Sequence, residues 1–132
     1  MRKIIVLETD HAPYPWQGVP PEYEEAWSAL FAGSHANLNL AQPCPVCGVA
    51  ALHRWYQAGK PEPLYQNGML FLGRGGLWQW CHACFCYEHS SGLVPLGWEN
   101  VLEVDEAKLT AFPTAIEEAR RKLPIVPPPG GG

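Results

Sequence analysis

The stretch "WQWCHACFCYEH", residues 78–89, places three cysteines, two histidines and two tryptophans in twelve positions. Its reading depends on the partners the rest of the chain offers those sulfurs. The upstream stretch "QPCPVCGVAALHRWYQ", residues 42–57, supplies Cys44 and Cys47, and the opening stretch supplies Cys81 and Cys84. Two residues between cysteines let one tight turn present both thiolates to a single ion. Gly48 suits the left-handed backbone position that closes such a turn. Two turns brought from distant parts of the chain complete a tetrahedral shell of four soft ligands, which points to structural Zn2+.

The alternatives are weaker. Five cysteines is an odd number for a disulfide framework, and a chain without a signal-peptide-like apolar run is expected in the cytoplasm, where thiols stay reduced. A redox C-x-x-C would need a helix N-terminus behind a strand, whereas both pairs here sit among strands and turns. Phe85 stands where the second knuckle would often carry glycine, so that turn is expected to be strained or differently shaped. Cys86, His82 and His89 are close enough in sequence to compete for a ligand position. If residues 84–88 are extended, Cys84 and Cys86 share a face, but a buried core thiol is the better reading of Cys86.

Working outward, the 33 residues between the pairs accommodate a hairpin and a long loop. "VAALHRWYQ", "GMLFL", "GLWQWC" and "FCYEHS" read as short strands, with "GRGG" as a hairpin turn. "MRKIIVLE" reads as a first strand. Pro21 opens a helix with Glu22, Glu24 and Glu25 in its first turn. Tyr23, Trp27, Leu30 and Phe31 form its apolar stripe, and Gly33 ends it. "DEAKLTAFPTAIEEARRKL" reads as one helix or two, with Thr114 and Glu117 as a capping box. The expected organisation is one α+β domain over residues 1–123. Its ribbon core is an antiparallel sheet over residues 42–98, and residues 124–132 form a Pro/Gly tail.

"CPVCG" with the later "CHAC" resembles the zinc-ribbon class over residues 42–98, which implies Cys44, Cys47, Cys81 and Cys84 as ligands. The run "GRGGLWQWCHACFCYEHSSGLVPLGW" also resembles small bacterial cysteine-knuckle proteins. Some of these are similar to immunity proteins paired with toxins. That likeness implies a protein partner and carries no catalytic residue across.

Charge bears on partners. Residues 1–40 carry two basic and five acidic side chains, residues 41–100 three of each, and residues 101–132 four and five. No segment is basic, and four thiolates with one divalent ion add −2 to the formal −4. A nucleic-acid-associated zinc ribbon, the alternative reading, lacks the expected basic footprint, although Trp55, Trp78 and Trp80 offer stacking surfaces. Catalysis is not expected. Four cysteines close the metal shell, and Glu88, His89, Ser90 and Ser91 alternate faces if they lie on a strand. The expected function is therefore a non-catalytic, zinc-stabilised binding module, an immunity protein facing a basic toxin. Its candidate partner surface is Asp10, Trp16, Glu22, Glu24, Glu25, Glu88 and Trp98.

Overall fold

A computed structural model describes residues 14–34, 36–66, 68–96, 98 and 100–123. The strand expected in "MRKIIVLE" and the candidate contact Asp10 lie outside the described residues. Six strands and two α-helices are present among the described residues, so the α+β class holds. In chain order these are β1 (Gln17–Gly18), α1 (Glu24–Ala32), β2 (Leu38–Leu40), β3 (Leu52–Ala58), β4 (Leu64–Gln66), β5 (Met69–Cys81), β6 (Cys86–Pro95) and α2 (Thr114–Arg121). The sheet order is β1-β6-β5-β3-β2, with β4 pairing alongside β5. All pairings are antiparallel except β1 with β6, so the sheet is mixed and larger than the expected antiparallel ribbon.

"GRGG" is not a hairpin turn. It lies inside β5, a continuous strand of 13 residues. The glycines are there for close approach. A Cβ on Gly75 would collide with the carbonyl oxygen of Gln57 on β3, so only glycine lets the two backbones pair at that point. The β5–β6 hairpin instead turns at the second knuckle, residues 82–85.

Side chains alternate across the sheet with the period of two that strands impose. Leu52, Cys81 and Cys86 face one side, where α1 adds Trp27 and Phe31 to form one core. Trp55, Trp78 and Trp80 face the other side, where Leu102 and Ile116 complete a second core. Three of the four positions expected in the first helix's stripe join this core, with Trp27 and Phe31 buried and Leu30 packed against them, whereas Tyr23 sits half-buried in the 3-10 turn Pro21–Tyr23 ahead of α1. Each of the two buried rings contributes roughly 2–3 kcal/mol of apolar transfer.

The second core is tied down by indole hydrogen bonds. Trp55 Nε1 donates to the Leu102 carbonyl at 3.0 Å, and Trp78 Nε1 to that of Thr110 at 2.9 Å. Trp80 Nε1 donates at 2.9 Å to the fully buried Glu117 carboxylate. This overturns the capping-box reading. Pro113 is the residue before α2, and no side chain caps the helix. Glu117 is instead an internal acceptor, held by Arg120 and Arg121 as well, and Thr114 Oγ1 accepts from Trp16 Nε1 at 2.9 Å.

Candidate metal centre

Both knuckles repeat one local geometry. In the first, the Gly48 amide donates to the Cys44 carbonyl at 2.8 Å, and the Val46 amide points at Cys44 Sγ at 3.3 Å. In the second, the Phe85 amide donates to the Cys81 carbonyl at 3.0 Å, and the Ala83 amide points at Cys81 Sγ at 3.4 Å. Gly48 and Phe85 therefore hold equivalent positions, and both are left-handed, with φ of 80° and 64°. The Phe85 turn has the standard shape and carries the strain that a side chain brings there, about 1–2 kcal/mol. Its ring lies 6.0 Å from Tyr14 and 5.6 Å from Trp16. Such aromatic pairs contribute about 0.5–1.5 kcal/mol each, enough to offset that strain.

The knuckles are locked to the sheet. The His82 amide donates to the Ala51 carbonyl at 2.9 Å, and Gln17 reaches the Cys84 carbonyl with its side chain at 3.0 Å. As a result the ligand atoms of Cys44, Cys47, Cys81 and Cys84 all lie within 4.8 Å of one another. Cys44 Sγ is 3.8 Å from Cys84 Sγ, and Cys47 Sγ is 3.7 Å from Cys81 Sγ. Four sulfurs bonded at about 2.3 Å to one tetrahedral ion stand about 3.8 Å apart, so these spacings fit a thiophilic metal. Cys44 and Cys81 are buried, Cys84 is half-buried and Cys47 is exposed.

The thiols are tuned unevenly. Burial pushes Cys81 well up and Cys84 up to about 12. At Cys47 burial acts in the same direction, but the Val49 amide and the neighbouring thiols outweigh it and lower the pKa. An ion entering this site must displace protons that the protein alone retains.

None of the three competitors for a ligand position belongs to this cluster of four, although the Cys86 thiol lies within hydrogen-bond reach of Cys84. Cys86 is fully buried in the first core, as a core thiol. His82 Nδ1 is 2.7 Å from His53 Nε2, and His53 Nδ1 is 2.9 Å from Asn39 Oδ1. His89 stacks on Trp78 at 4.3 Å between centroids. The pairing of buried His53 with half-buried His82 was not legible in the sequence, because nothing there shows that β3 and β5 set residue 53 beside the second knuckle.

The candidate partner residues are dispersed. Glu22, Glu24 and Glu25 are exposed where α1 begins, and Glu88 is half-buried on β6. Trp16 is half-buried, engaged with Thr114 and with Tyr87 at 6.1 Å on the α2 side of the sheet. Trp98 packs on the opposite side, over the Arg54 guanidinium at 5.5 Å and against Tyr56 at 4.6 Å. The two tryptophans do not share one surface. The proline-rich loop does not free Trp16, because its indole nitrogen has an acceptor waiting on α2.

No helix among the described residues is long and apolar enough to cross a membrane. No protein-family model, curated protein or solved structure matches the chain.

Proposed function

We propose that the chain is a non-catalytic protein-binding module whose four-cysteine centre holds a structural Zn2+. The finer reading is an immunity protein that neutralises a basic, toxic partner in the cytoplasm. The observation that carries the zinc assignment is the closed cluster of four sulfurs at tetrahedral spacing. Zinc favours such thiolate shells, and four protein ligands leave no open position for a reacting group. Burial of Trp55, Trp78 and Trp80, at 4%, 3% and 0% exposure, favours a protein partner over nucleic acid, because these rings are unavailable for stacking on bases. Three of the nine basic residues are also engaged internally: Arg54 is buried, and Arg120 and Arg121 grip Glu117. The exposed Glu22, Glu24 and Glu25 then form the acidic face that would steer a basic partner.

The test is affinity capture with the zinc-loaded full chain, with and without nuclease, followed by kinetics with the purified partner. The expected outcome is one partner at fixed stoichiometry after nuclease treatment. Reversing all three glutamates to lysine should slow association at low salt by about tenfold or more, with a folded chain whose melting temperature falls because acids are lost from a helix N-terminus. Capture that disappears with nuclease would instead establish a nucleic-acid-associated protein.

A further inference from the structure

Away from the cysteines, a cavity of about 420 Å³ opens between the C-terminal end of α1 and the β5–β6 strands. Its walls are mainly apolar, with Phe31, Phe71, Leu93 and Trp98 around it and the half-exposed Met69 and Leu96 at its rim. The volume lies within the range of small-ligand sites, which combine apolar walls with a few placed polar groups.

The placed group is Arg54, on β3, only 4% exposed. Its guanidinium donates to the carbonyls of Phe31 at 2.8 Å, Ser34 at 2.9 Å and Ala36 at 2.8 Å. The Phe31 and Trp98 rings flank it at 5.8 and 5.5 Å. Its Nε is buried and has no hydrogen-bond partner, and no carboxylate pairs with it among the described residues. Among the described residues no counter-ion offsets the desolvation of this cation, and carbonyl dipoles and ring faces offset only part of its cost. The cavity therefore combines mainly apolar walls with a buried cation that no described carboxylate neutralises, a pairing that favours an apolar body carrying negative charge over one carrying positive charge.

We infer that this cavity binds a small organic acid, with its flat or aliphatic body between Phe31, Leu93 and Trp98 and its carboxylate turned toward Arg54. The site is separate from the metal centre, and the inference does not depend on the protein-binding reading.

Isothermal calorimetry on the zinc-loaded full chain with 2-naphthoate and its neutral amide, 2-naphthamide, tests it, since the two probes share one body and differ in charge. The expected result is one naphthoate per chain, bound at least tenfold more tightly than the amide. Leu93→Trp, which fills the cavity from β6, should weaken naphthoate binding more than tenfold at an unchanged melting temperature. Arg54→Met, where it folds, should bring the two probes to equal affinity. If that variant does not fold, the ratio in the native chain and the Leu93→Trp loss decide. Equal affinity of the two probes for the native chain, no one-to-one binding at millimolar naphthoate, or naphthoate binding retained in Leu93→Trp would each overturn the inference.

Discussion

Gly48 and Phe85 solve one turn problem in two ways. At Gly48, with φ of 80°, a Cβ would meet nothing within 4 Å, so substitution there tests backbone conformation alone. Gly48→Ala is expected to lower stability by about 1–2 kcal/mol without altering metal stoichiometry, as measured by urea unfolding at saturating zinc. His53 supplies the second residue-scale prediction. Burial is the main reason its imidazole falls from an ordinary 6.5 to about 3, so the folded chain keeps it neutral while the unfolded chain protonates it below 6.5. The unfolded state then binds the extra proton, and stability declines as pH drops from 6.5 toward 3. His53→Gln should flatten the slope of stability against pH between 6.5 and 5, read at saturating zinc; an unchanged slope would remove His53 as its source.

Among the elements, α2 depends on one carboxylate. Glu117 is fully buried, yet its pKa falls to about 2: burial pushes it up, and hydrogen bonds from Arg120, Arg121 and Trp80 outweigh that. Its contribution is thus present above the ordinary carboxylate range and is lost as pH falls toward 2. Glu117→Ala strands the buried Trp80 indole and releases Arg120 and the partly exposed Arg121 to solvent, and should cost about 1–3 kcal/mol in chemical denaturation; a loss below about 0.5 kcal/mol would show that the clamp is incidental. This role was hidden in the sequence, where Thr114 and Glu117 have the spacing of a capping box and only tertiary packing turns the glutamate inward. The first helix was legible, since its stripe at Trp27, Leu30 and Phe31 is local information. β5 was not, because a glycine cluster reads as a turn unless the neighbouring strand that requires close approach is known. Arg54 was equally hidden, as an arginine within "LHRWY" gives no sign that three carbonyls, one in the last turn of α1 and two in the segment after it, converge on it.

On the scale of the whole molecule, the sheet carries a core on each face, and the four-cysteine cluster sits where both knuckles meet the first of them. The clustering of the four cysteines was legible because C-x-x-C spacing encodes a local turn, and two such turns have few other uses than to meet. The partner surface was not, because exposure depends on packing across the sheet, and packing sends Trp16 and Trp98 to opposite sides. The most direct test of the central claim is X-ray absorption at the zinc edge on the purified chain. One zinc per chain with four sulfur neighbours at about 2.3 Å and no nitrogen or oxygen is the predicted result. A mixed shell containing nitrogen or oxygen, or a folded chain that takes up no zinc, would contradict it.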